Sequence, residues 1–189
     1  MARTDNTFVR IYELMLRGGR LLGSFTRPST CIPELNSGVH EGVAFSISDY
    51  NASLANNGVV TFSGRTGNKS IHFLNIDITS NVGGWFMELY ESPTITVVGT
   101  PQTPMNLNFQ SANTSDLTVK SGVTASPLGT LKLSKHIHVV GTGSANRIDS
   151  SGSLSSGVIL KTNTDYLFRL TNQSGAAAPY EMTLEWAEK

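Results

Sequence analysis

The stretch SIHFLNIDITSNVGGWFMELYE, residues 70–91, decides the fold. From Ser70 to Ile78 the residues alternate. Ile71, Phe73, Asn75 and Asp77 are expected on one face, and His72, Leu74, Ile76 and Ile78 on the other. A period of two is that of a β-strand, not a helix. Asn81-Val-Gly-Gly84 is a turn signal. Alternation then resumes from Trp85 to Glu91, with Trp85, Met87 and Leu89 sharing a face.

The same pattern runs outward in both directions. GVAFSISD (42–49) places Val43, Phe45 and Ile47 together. Val59–Phe62 follows an Asn56-Asn-Gly58 turn, and Arg65-Thr-Gly-Asn68 is another turn. Ile95–Val98, Leu131–Val140, Val158–Leu160, Tyr166–Leu170 and Tyr180–Trp186 complete the set. Short strands separated by Gly, Asn, Ser and Pro predict an all-β sandwich or barrel. No long amphipathic pattern interrupts them, which argues against alternating βαβ units.

The 189 residues suffice for one domain with a real core. Charged residues are 15% and the formal net charge is zero, so no global basic field exists to hold nucleic acid or an anionic membrane. The single cysteine, Cys31, can form neither an internal disulfide nor a zinc site, and reads as a small thiol without a nominated base. Arg10 and Glu13 interrupt the first apolar run, and no stretch reaches the length of a membrane helix. The expectation is a soluble chain made in the cytoplasm.

Residues 1–35 differ from the rest. Arg3, Arg10, Arg17, Arg20 and Arg27 face only Asp5, Glu13 and Glu34 there. Asn6–Leu16 reads as a short helix with Phe8, Ile11, Tyr12 and Met15 on one face, stopped by Gly18-Gly19. It reads equally as a strand. Thr26–Pro33 is an extended connector, since each proline turns its predecessor away from helix. A helix this short gains order by packing on a partner or on its own domain; of these two readings, residues 1–35 are expected to be a docking arm with its extended connector, and 36–189 the β domain. Arg3, Phe8, Arg10, Ile11, Tyr12, Met15, Arg17 and Arg20 are its candidate interface residues. Gly141–Gly157, nearly without bulky side chains, is expected to be a surface loop.

Catalytic constellations are weak. His136 and His138 share a strand face, but two ligands make no metal site. His40 and His72 have no G-x-S-x-G elbow to build a triad with. Glu88 and Glu91, three apart on a strand, point to opposite faces and do not form a glycosidase pair. Glu181 and Glu185 share a solvated face with Thr183. Glu91 reads as a strand exit before Pro93, turned to solvent, accepting turn N–H groups, or at a subunit contact. The reading is not an enzyme, with no cofactor and no metal.

GVHEGVAFSIS, IHFLNIDI, ELYESPTITVVGTPQTPMNLN, NTDYLFRLTNQSG and MTLEWAE, in that order, resemble a pattern of tailed-bacteriophage virion proteins. The resemblance covers about residues 38–188. It departs at Asn106-Leu107-Asn108, which is followed by Phe109 where the pattern carries an arginine. It implies a jelly-roll-like β-sandwich that decorates or cements the outer surface of a phage capsid. The implied partners are the major capsid protein and two further copies in a homotrimer, with no nucleic acid and no membrane. The alternative is a carbohydrate- or receptor-binding module of a head or tail fibre. That would require aromatics exposed in a groove, whereas Trp85 and Trp186 sit at inward positions.

Overall fold

The computed structural model describes residues 34–80, 82–137 and 158–189. They form two packed antiparallel sheets, so the all-β sandwich is what the alternation predicted. The docking-arm residues, Cys31, His138 and the 141–157 loop lie outside the described residues.

The first sheet has five strands, in the order β11 (Val158–Leu160), β3 (Ile71–Thr79), β13 (Ala178–Glu188), β1 (Ala44–Leu54) and β7 (Met105–Asn106). The second has six: β10 (Thr130–Ile137), β4 (Trp85–Glu91), β12 (Asp165–Asn172), β2 (Val59–Arg65), β8 (Thr118–Ser121) and β6 (Thr100–Gln102). A two-stranded ribbon pairs β5 (Ile95–Val97) with β9 (Thr124–Ala125). Residues 70–91 therefore carry the chain from an inner strand of one sheet to an inner strand of the other.

The alternation in β3 breaks once. Trp186 pairs with Phe73 whereas Glu185 pairs with Asn75, which leaves Leu74 as an extra residue in a β-bulge. A one-residue insertion flips every later side chain. Ile71 faces the core before the bulge; Ile76 and Ile78 face it afterwards. The sequence placed Asn75 and Asp77 with Ile71. The bulge instead sends them to the opposite face, where Asn75 Nδ2 donates to Glu185 at 3.2 Å.

Aromatics from both sheets fill the interior. Trp186 is fully buried between Phe45 and Phe73, with ring centroids 6.2 and 6.1 Å away. Trp85, also fully buried, meets Tyr180 edge-on at 5.6 Å. Such pairs add about 0.5–1.5 kcal/mol beyond area burial. An apolar void of about 30 Å³ lies among Gly64, Phe73 and Trp186. It is the size of a single water, too small for a ligand.

A helix, α1 (Glu34–Glu41), precedes β1 and packs on β1 and β13. Its Gly38 lies over Ala44 and Ala187, and a Cβ added there would sit 3.3 Å from each alanine Cβ. Three small residues in register thus let helix and sheet approach closely. The expected boundary at residue 36 falls inside this helix.

Candidate functional site

The outer face of the six-stranded sheet is partly covered by the β5–β9 ribbon. Thr61 fixes the ribbon to β2: its hydroxyl donates to Val123 O at 2.7 Å, and its carbonyl accepts Gly122 N at 2.9 Å. Tyr90, Val123 and Leu167 form a small second core beneath it, joined by Ala125 and Leu128. Two clefts open on this face. One, of about 390 Å³, is lined by Val59, Thr61, Val123, Ala125, Leu128, Leu167 and Arg169, among others. The other, of about 310 Å³, has Pro93, Ile95 and Val98 on one side and Ser63, Arg65, Thr118, Lys120 and Asp165 on the other.

Arg169 is held rigidly. Its Nη1 donates to Glu88 Oε2 at 2.9 Å, and Tyr90 donates its hydroxyl to Glu88 Oε1 at 2.5 Å. Burial first, and then the hydrogen bond to the Glu88 carboxylate, push the Tyr90 phenol above its ordinary pKa. The phenol is a neutral donor at physiological pH, and the three groups form one satisfied network.

Glu88 and Glu91 diverge as their spacing predicted. Glu91, at the exit of β4, takes Lys161 Nζ at 2.7 Å and Lys132 Nζ at 3.4 Å, with the Tyr166 hydroxyl at 3.5 Å. The Lys161 hydrogen bond, reinforced by both lysine charges, holds the carboxyl below the usual carboxylate range. Its acceptors serve side-chain cations here, while the backbone at the corner is closed by Ser92 N donating to Asp165 O. Sequence spacing gave no sign of Lys161, which is 70 residues away.

A third feature lies where β7 meets β1. Phe109 is 83% exposed at the tip of the loop after β7. The loop beneath it is pinned by side-chain amides. Asn106 Nδ2 donates to Gly42 O and Asn113 O at 3.0 and 3.1 Å, and Asn106 Oδ1 accepts Asn108 N at 2.9 Å. Asn108 Oδ1 accepts Gln110 N at 3.0 Å, and Asn113 Nδ2 donates to Gly42 O at 3.0 Å. Gly42 has φ +68° and touches Ser111, so a side chain there would collide with the loop. Such Asx bonds are the ordinary local use of Asn.

The remaining candidates are scattered. His136 stacks on Phe86, ring centroids 4.3 Å apart, with Ile137 turned inward as expected. His40 is exposed on α1 and His72 lies half-buried in β3. Among the described residues no group of three His, Cys, Asp or Glu side chains could hold a metal, and no helix is long and apolar enough to cross a membrane.

Charge divides between the sheets. The strands of the five-stranded sheet carry Asp49, Asp77, Glu181, Glu185 and Glu188 and no Lys or Arg. Those of the six-stranded sheet carry Arg65, Lys120, Lys132, Lys135 and Arg169 against Glu88, Glu91 and Asp165.

The chain matches no family model, no curated protein and no solved structure. What the fold and these surfaces define is a class: an all-β sandwich whose two sheets carry different charge.

Proposed function

We propose that the chain is a structural virion protein that binds the outer surface of a phage capsid as a decoration or cement protein. It works as a homotrimer, with the arginine-rich residues 1–35 docking on the major capsid protein. The observation that carries this reading is where the resembling motifs fall. Glu91 of ELYESPT is the corner carboxylate between Lys132 and Lys161. Asn106 and Asn108 of the N-x-N element hold the Phe109 loop. Asn172 of the T-N element is fully buried and donates to Leu54 O, Ala55 O and Ala176 O. Trp186 of the closing E-W is at the centre of the core. Each motif sits at a structural tie, which supports reading them as a shared scaffold.

The physics of decoration suits such a body. Several identical copies per site give avidity without strong individual contacts. Five arginines in residues 1–33 against two acids suit pairing with carboxylates on a shell. The glycan-binding alternative is weakened by the burial of both tryptophans, which leaves neither for a sugar platform. The test is co-sedimentation of purified chain with undecorated capsids of the encoding phage. The full chain is expected in the capsid pellet, and a chain lacking residues 1–30 in the supernatant. No binding by the full chain overturns the function, and undiminished binding by the truncated chain overturns the role of the arm.

A further inference from the structure

We infer that Phe109 of one copy seats in the 390 Å³ cleft over the six-stranded sheet of the next copy, as the anchor of a head-to-tail contact. The inference rests on the self-association in the function proposed above and names the surfaces that make it.

Three observations carry it. First, a large aromatic side chain 83% exposed on a loop fixed by so many amide bonds is preorganised for burial. A rigid anchor loses little entropy on binding. Second, the chain carries a matching hole. Val59, Val123, Ala125, Leu128 and Leu167 give it apolar walls, and Arg169 gives it a planar cation. Arg169 donates to Glu88, whose other oxygen is held by Tyr90, so the guanidinium has a fixed place in the cleft lining, where a seated ring can make a cation–π contact with it. Aromatic and arginine residues in a desolvated pocket are the usual composition of an interface hot spot.

Third, the charges match. Phe109 projects from the edge of the sheet whose strands carry only carboxylates. On the outer face where the cleft opens, Arg65, Lys120 and Arg169 stand against Glu88 and Asp165. The knob is tied to the edge of one sheet and the hole opens on the outer face of the other, so a copy does not fill its own cleft. A contact between two different surfaces closes into a ring when its rotation allows.

The test uses the full chain. Light scattering after gel filtration gives the mass of the wild type and of Phe109→Ser, with circular dichroism confirming that the variant folds. Truncating a hot-spot aromatic weakens association about thirtyfold or more, so the variant is expected as monomer where the wild type is oligomeric, and Phe109→Tyr is expected to keep the wild-type mass. In a Cys31→Ser background, chains with Phe109→Cys are mixed with differently tagged chains carrying Val59→Cys and oxidised. Mixed disulfide dimers are expected. An unchanged mass for Phe109→Ser, or disulfides only between two Phe109→Cys chains, overturns the contact. A monomeric wild type overturns it together with the self-association, and leaves capsid docking to be judged by the arm truncation.

Discussion

Replacing Glu188 tests whether a buried carboxylate holds one end of the sandwich shut. Its side chain is inaccessible to solvent, yet it reaches five neighbours. Ser115 Oγ donates at 2.6 Å, Asp116 N at 3.0 Å to both oxygens, Trp186 Nε1 at 3.2 Å and Lys69 Nζ at 3.4 Å. The carboxylate thus ties the last strand to the 115–117 loop that leads into β8 and to the turn before β3. Leu117 N also approaches it, at 3.4 Å, but retains Ser115 Oγ at 3.1 Å as a second acceptor.

The magnitude follows from what alanine would strand. The Asp116 N–H and the Trp186 indole N–H lose their acceptor. A buried unsatisfied donor costs about 1–3 kcal/mol, so Glu188→Ala is expected to lose about 2–6 kcal/mol. That is a large share of the roughly 5–15 kcal/mol that holds a domain folded. At about 2–4 °C per kcal/mol for a chain of this size, a loss of about 4 kcal/mol lowers Tm by about 8–16 °C. Glu188→Gln keeps the shape and one acceptor, and should fall between alanine and wild type. Glu181→Gln, exposed on the same strand, should stay within about 0.5 kcal/mol. Urea unfolding gives the free energies, and amide exchange should show Asp116 losing protection first. A Glu188→Ala protein within 1 kcal/mol of wild type would refute the clasp.

Two further outcomes follow from the strand exit at Glu91. Gly129 has φ +92°, and a Cβ there would sit 2.4 Å from Glu91 O. Gly129→Ala is expected to cost well over the about 1–2 kcal/mol of a left-handed non-glycine residue. Gly122→Ala, also at positive φ (+67°) but with nothing within 4 Å, should cost only that, as thermal melts of the two will show. Because Lys161 and Lys132 depress the Glu91 pKa in the folded state, this carboxylate contributes stability above the unfolded pKa of about 4.3, and loses it as pH falls through the lower folded value. The Tm difference between wild type and Glu91→Gln should therefore be constant near neutrality and vanish on acidification. A difference that persists at the lowest pH where both proteins fold would show that the pair is not responsible.

The long strands were legible because a period of two survives wherever one face is buried. Val158–Leu160 and Trp85–Glu91 match their expected bounds. What sequence could not give was the bulge at Leu74, which depends on Trp186 across the sheet rather than on β3 itself. Nor could it give β6 to β9. These have two to four residues each, shorter than any readable period, and owe their form to partners such as Thr61 and Gly42. Helix α1 was hidden for a similar reason: ELNSGVHE is only eight residues long and carries a glycine in its interior, and Gly38 is explained only by Ala44 and Ala187 beneath it. Of the candidate site, Glu91 was legible as a corner but not its lysines, and Phe109 only as a departure from a pattern.

The edges of the six-stranded sheet bear on how copies can meet. A free strand edge invites pairing with another chain. At one edge, β10 carries Lys132 and Lys135, and its register with β4 shifts between Leu131 and Leu133. At the other, β6 is three residues long and contains Pro101, which has no N–H to offer a neighbour. Both devices oppose strand addition. Association through this sheet is thereby directed away from its edges and onto its outer face, where the clefts and the Glu88-held Arg169 lie. A side chain delivered onto that face, rather than a strand added beside it, is the contact this architecture favours.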